Sequence, residues 1–160
     1  MGDLALLATA FAFGVGSSLL PMFLNAEVYV VALGTLTSSR VFLFWLVMAL
    51  SVGTVIGKAV VFDLARRGAS KFRSVERKPP RNRFMLRVRR FSDWMLGLLD
   101  RPYLGAATVF VSSALMVPPL AVVTIIAGMS RQPLWLFLAM VFVGRTLQYL
   151  VLAFLLHAAF

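Results

Sequence analysis

The sequence predicts an all-α polytopic membrane protein, organised as an inverted repeat of two re-entrant helical hairpins, each followed by a transmembrane helix. Three observations lead there. The 160 residues are 61% hydrophobic and only 14% charged, with a mean hydropathy of +0.90, whereas soluble domains run at about half apolar and about a quarter charged. Long uncharged stretches are broken by prolines at matching places, and the whole net charge of +10 is gathered in one connecting segment. Because a spanning helix takes about 20 residues, a single membrane domain fills the chain, 1–160. It divides into 4–65 (first hairpin plus helix), 66–90 (basic loop), 91–101 (interfacial segment) and 102–160 (second hairpin plus helix).

The elements follow in order. Leu4 to Ala26 is uncharged but interrupted by Pro21, and a second uncharged stretch runs from Val28 to Ser39. Neither arm makes a comfortable span with a proline at the break, so a hairpin with its tip near Pro21 to Glu27 is expected, its freed backbone groups met by neighbouring protein or a wet cavity. Val41 to Gly57 is uncharged and continues through Lys58 to Leu64, a true crossing. Gly53 and Gly57 within it allow another helix to approach closely, in the same chain or in a second copy, so a homo-oligomer is one expectation. The segment from Arg66 to Arg90 sets eleven Lys and Arg against the lone acid Glu76. Between two apolar blocks such a run is placed in the cytoplasm, against anionic headgroups; no nucleic acid is expected. Phe91 to Asp100 mixes Trp94, Met95 and leucines with two acids and reads as interfacial. Pro102 to Ser130 is uncharged and broken by Pro118-Pro119, which cannot both continue a helix. Leu134 to Phe160 closes the chain as a second crossing, with Gly144-Arg145 inside it. The N-terminus lacks a basic n-region and is expected to stay attached.

The halves match by counting. Ser17-Ser18 precede Pro21 as Ser112-Ser113 precede Pro118, and Ala32-Leu33-Gly34 closes the first hairpin as Ala127-Gly128 closes the second. Arg40 lies 13 residues before Gly53, as Arg131 does before Gly144. With the basic loop inside, the first hairpin enters from outside and the second from the cytoplasm, the arrangement in which broken helices meet near the midplane of a transporter.

A charge at the bilayer centre costs about 2.5 to 3.5 kcal/mol on insertion scales, so each ionisable residue in the apolar blocks asks for a reason. Glu27 follows Asn25, a natural helix N-cap, and would sit in the first turn of the second arm as a proton-coupling group or an ion-pair partner. Arg145 lies 11 residues beyond Leu134, too deep to snorkel, and suits either Glu27 or a phosphate oxygen. Lys58 either contacts substrate or snorkels. Asp63 is expected to pair locally with Arg66 and Arg67. Without cysteine, with His157 as the lone histidine and no carboxylate pair within a span, neither a metal, a cofactor nor covalent catalysis is expected, and the chain does not read as an enzyme.

Taken together, Ser18-Leu19-Leu20-Pro21, Asn25-Ala26-Glu27, Gly53-x-x-x-Gly57, Phe62, Ala65-Arg66-Arg67-Gly68, Pro118-Pro119, Ala127-Gly128 and Gly144-Arg145 resemble the DedA or VTT-domain membrane proteins, specifically the small bacterial YqaA-like branch. The resemblance covers nearly the whole chain. It implies two opposed re-entrant hairpins in a bacterial inner membrane and movement of phospholipid or polyprenyl-phosphate carriers between leaflets, coupled in some members to an ion gradient. Glu27 matches the acidic residue essential in the family's first hairpin. The chain departs from the pattern at Lys58, where members usually carry an acid or amide, and in Ser112 to Leu120, which has no arginine; a broader lipid scramblase therefore stands beside the carrier-lipid assignment. Competing readings are a proton-coupled exporter of small cationic solutes and a non-transporting membrane scaffold.

Overall fold

The computed structural model describes residues 2–19, 26–36, 39–72 and 82–159. All the regular structure among them is helical: α1 (Gly2–Leu19), α2 (Ala26–Leu36), α3 (Arg40–Phe72), α4 (Arg83–Leu99), α5 (Pro102–Leu115), α6 (Leu120–Met129) and α7 (Leu134–Ala159). Among the described residues, three stretches are long and apolar enough to cross a membrane: Gly2–Leu19, Arg40–Ser70 and Leu134–Leu155. The last two are the expected crossings. The first differs from the expectation of an arm too short to span, because the helix runs unbroken for 18 residues before Pro21 is reached, about 27 Å at 1.5 Å per residue. By contrast α2, α5 and α6 have 11, 14 and 10 residues and fall short of the roughly 30 Å hydrocarbon core.

Helix packing follows residue size. On α1 the buried residues are Ala10, Gly14, Ser17 and Ser18, one small-residue stripe at helical spacing, and it lies on Gly53 and Gly57 of α3. A Cβ added to Gly57 would stand 2.5 Å from Ser18 Cβ and 2.8 Å from Val15 O, so only glycine allows this approach. The pair is thus used inside one chain. The second half repeats the contact: a Cβ on Gly144 of α7 would collide with the Ser113 hydroxyl and stand 3.0 Å from Phe110 O. Val15 and Phe110 each precede their serine by three residues, so Gly57, rather than the Gly53 matched by counting from Arg40, is the counterpart of Gly144. Counting from a flanking arginine measures chain length; the seat of the serine measures the packing itself.

The arms of each expected hairpin do not take each other as main partner. While α1 packs along α3 and α5 along α7, the second arms cross over, α2 onto α7 and α6 onto α3. Stacking of Phe13 on Tyr29, with centroids 4.5 Å apart, joins α1 to α2. The α5–α6 break falls where the paired prolines put it. Met116 takes a left-handed φ of 60° and caps α5 by donating its N–H to Ser112 O, at 3.0 Å. The Ser112 hydroxyl donates to Pro118 O, at 2.5 Å, and α6 starts at Leu120.

Two apolar cores result. One gathers Ala10, Ala26, Val30, Leu43, Leu46, Val47, Leu50, Tyr149 and Ala153; the other gathers Phe62, Met95, Leu99, Val109, Leu120, Val123, Ile126, Ala127, Phe137 and Val141. The N-terminal half of α3 shares a core with the C-terminal half of α7, and the reverse holds in the other core, so the two long helices run antiparallel. Between the cores, both helices turn polar.

The segment 66–90 is not a loop at its ends. Helix α3 continues to Phe72, and α4 begins at Arg83, merging the last part of the basic run with the interfacial segment 91–101. Charge sets where a segment sits, not its backbone. Phe84, Val88, Phe91, Met95 and Leu99 recur at helical spacing through the arginines. At the C-terminal end of this stripe Met95 and Leu99 are fully buried, while Phe84, Val88 and Phe91 are exposed.

Candidate functional site

Where the cores part, a cavity of about 280 Å³ is lined by Ser17 and Ser18 of α1, Ala26 and Glu27 of α2, Thr54 and Lys58 of α3, Met116 and Pro119 of the α5–α6 break, Leu120 and Ala121 of α6, and Arg145 and Tyr149 of α7. The helix pattern makes the site. Thr54 and Lys58 are four residues apart, as are Arg145 and Tyr149, so each pair shares a face. Antiparallel pairing of α3 with α7 brings the two faces together. Ser17 and Ser18 end α1; Ala26-Glu27 and Leu120-Ala121 begin the two crossed arms.

Three charged side chains meet here. Arg145 Nη1 donates to Glu27 Oε1 and to Gln148 Oε1, at 2.7 Å and 2.9 Å, and its guanidinium lies 5.6 Å from the Tyr149 ring centroid. A charge-assisted bond of this length is among the stronger kinds. Glu27 occupies the first turn of α2, where the helix dipole favours a carboxylate. From α3, the Lys58 ammonium donates to Ser18 O at 3.5 Å. Lys58 is therefore turned inward, 4% exposed, rather than snorkelling. Ser18 itself donates to Thr54 O and Ser113 to Met140 O, at 3.0 Å and 3.2 Å, pinning each first arm to its long helix.

Of the other residues singled out in the sequence, Pro119 lines the cavity, Pro118 lies at the same break behind a cis bond from Val117, and Gly53, Gly57 and Gly144 hold the arms close. Asn25 and Pro21 lie outside the described residues, as does the side chain of His157. Among the described residues no three His, Cys, Asp or Glu gather as a metal site would require.

Sequence reasoning overlooked several residues. Tyr149 and Gln148 stand four and three residues after Arg145, a spacing that marks them as its neighbours, and Tyr149 is fully buried. Arg66 is a correction. Asp63 pairs with Arg67, at 2.7 Å, both well exposed, whereas Arg66 reaches across to α6. Its Nε donates to Gly128 O at 3.3 Å, and its Nη2 to Ser130 O and Gln132 O at 3.2 Å and 2.6 Å, with the Phe62 ring beneath it at 4.6 Å. One guanidinium thus satisfies carbonyls left open at a helix C-terminus. It ties the C-terminal end of α6 to α3.

Neither the curated proteins nor the solved structures offer a match to this chain. A model of the VTT domain does match, over residues 20–158, from the first break to the end of α7, and this span contains every ionisable residue of the cavity; the match assigns no branch within the family. The chain belongs to the VTT domain family, the domain of the DedA membrane proteins.

Proposed function

We propose that the protein moves phosphate-bearing lipids between the leaflets of a bacterial inner membrane, as a member of the small YqaA-like branch, and that no covalent bond changes in the process. One observation carries this reading: Glu27, Lys58 and Arg145, from three different helices, line one cavity between two apolar cores, the two cations buried and the carboxylate half-buried. Arg145 lies about 17 Å from the start of α7 and about 21 Å from its end, so the cavity stands near mid-membrane if α7 spans. Ionisable groups at such depth mark a substrate or ion path.

In this reading α1–α2 and α5–α6 are re-entrant hairpins of an inverted repeat. The matched seats of Ser18 on Gly57 and Ser113 on Gly144, and the crossing of α2 and α6, support it. A headgroup enters between the broken helices while its acyl chains stay in lipid. Its phosphate takes the Arg145 donors, and Glu27 holds Arg145 when the site is empty, serving as gate and as the point of proton coupling. The exposed Arg83, Arg87 and Arg90 of α4, with the exposed Phe84, Val88 and Phe91, lie along the cytoplasmic surface against anionic headgroups. Export of cationic solutes is less well supported, because the carboxylate such a solute would need is engaged by Arg145.

Leaflet exchange in proteoliposomes tests the reading, with labelled phospholipid and a short polyprenyl phosphate side by side. Transfer by the wild type that falls to the protein-free rate in Glu27→Gln and Arg145→Ala is the expected result. Folded wild-type protein that moves neither lipid would overturn it.

A further inference from the structure

The two sides of the cavity are built alike and charged differently. Lys58 and Arg145 each follow the glycine on which a serine of the first arm is seated, and each is nearly buried, at 4% and 9% exposure. The crossing arms break the match. Helix α2 brings Ala26 and Glu27 to the α7 side, and α6 brings Leu120 and Ala121 to the α3 side. Arg145 thereby receives a carboxylate at hydrogen-bond distance, whereas the arm on the Lys58 side brings only apolar residues to the cavity, and Glu27 acts on Lys58 through space.

Both cations keep donors in reserve. An ammonium has three N–H groups, yet among the described residues Lys58 makes one hydrogen bond, at 3.5 Å, the outer limit for such a contact. Arg145 Nε is buried and makes none among the described residues. Buried charged donors left short of acceptors are costly, and these two residues line the same cavity. Two cations against one carboxylate leave it with a single surplus positive charge.

We propose that Lys58 is the specificity-determining residue of the site, selecting a phosphate group that carries net negative charge and no cation of its own, held between the Lys58 ammonium and the Arg145 guanidinium. The proposal rests on the lipid-transport reading for the source of that phosphate, a lipid headgroup; free phosphate offers the same chemistry. A single anionic phosphate neutralises the surplus charge, and its oxygens accept from the guanidinium edge and from the ammonium. A zwitterionic headgroup brings its own cation into a cavity that is already positive, so like-charge repulsion rejects it.

The test is equilibrium binding to the full chain in non-ionic detergent, comparing short-chain phosphatidylglycerol with short-chain phosphatidylcholine, with inorganic phosphate as competitor. Wild type is expected to bind phosphatidylglycerol at least tenfold more tightly. Lys58→Gln brings that preference below twofold, and Lys58→Arg retains it. Ala121→Glu, which supplies the carboxylate missing from α6 while keeping the lysine, is expected to erase the preference as well, and it decides the matter should Lys58→Gln fail to fold. With the preference intact, displacement by millimolar inorganic phosphate supports the site with free phosphate as a ligand; no displacement supports it with the lipid-borne group alone. A wild-type preference below twofold, or one untouched by Lys58→Gln or by Ala121→Glu, would overturn the proposal. Leaflet exchange is read separately. Wild type that binds selectively but moves no lipid removes the transport reading and supports the Lys58 assignment, whereas exchange with a preference indifferent to both variants does the reverse.

Discussion

Lys58 and Arg145 occupy corresponding places on the two long helices and live in opposite circumstances. Arg145 is held by Glu27 at 2.7 Å and by Gln148 at 2.9 Å; Lys58 reaches one backbone carbonyl at 3.5 Å. The scaffold around them is nearly the same, a glycine seat filled by a serine. The difference teaches that duplicated packing does not require duplicated chemistry. Small residues set how closely helices approach, while the charge of the site is decided by a few side chains that packing leaves free to vary.

The largest effect expected from breaking this comparison is at Arg145. Arg145→Ala leaves the half-buried Glu27 carboxylate without its 2.7 Å partner; breaking a fully buried pair costs about 3–5 kcal/mol, which sets the upper bound here, and thermal unfolding in detergent should show a marked fall. Lys58→Met should do the opposite. It replaces a weakly bonded buried cation by an apolar chain of similar volume, and because a buried charge short of partners is costly the change should be neutral or stabilising, so the two midpoints should move apart. A parallel fall in both would mean that Lys58 is as well paired as Arg145.

Next comes Arg66, whose three carbonyl partners on and beyond α6 anchor the helix whose other end lines the cavity. Arg66→Ala should cost about 3 kcal/mol, given that hydrogen bonds to a charged group contribute about 1.5–3 kcal/mol each and add incompletely. Arg66→Lys, with no fork, should recover only part of this. The glycine seats sharpen the comparison further. Gly57→Val and Gly144→Val should each cost about 1–3 kcal/mol through overpacking, and penalties of similar size would support their equivalence. Smallest is Arg67→Ala, which removes an exposed pair with Asp63 and should change stability by less than about 0.5 kcal/mol.

What was legible in the sequence was local. Pro118-Pro119 broke the second apolar block where α5 and α6 separate, because two residues without an N–H cannot continue the hydrogen-bond ladder. The uncharged runs after Arg40 and Leu134 marked the two long helices, and the energetic cost of buried charge drew attention to Glu27, Lys58 and Arg145. What escaped depended on distant chain. Spacing along one helix pairs Arg66 with its neighbour Asp63, whereas its partners lie more than 60 residues away. Helix α4 was hidden by its own charges, which overshadowed a clear apolar period. The crossing of the arms onto opposite long helices leaves no mark in either arm's sequence.

That crossing has a consequence for how the protein is made. Glu27 and Arg145 are separated by 118 residues, so the carboxylate leaves the ribosome long before its partner exists; at about 5–20 residues per second, the wait is on the order of 10 seconds. During that interval α2 has no α7 to lie against, and neither half can complete its core. Insertion and assembly are thus separate events, and a chain released before Arg145 is translated would present quality-control proteases with an acidic arm that has nowhere to dock.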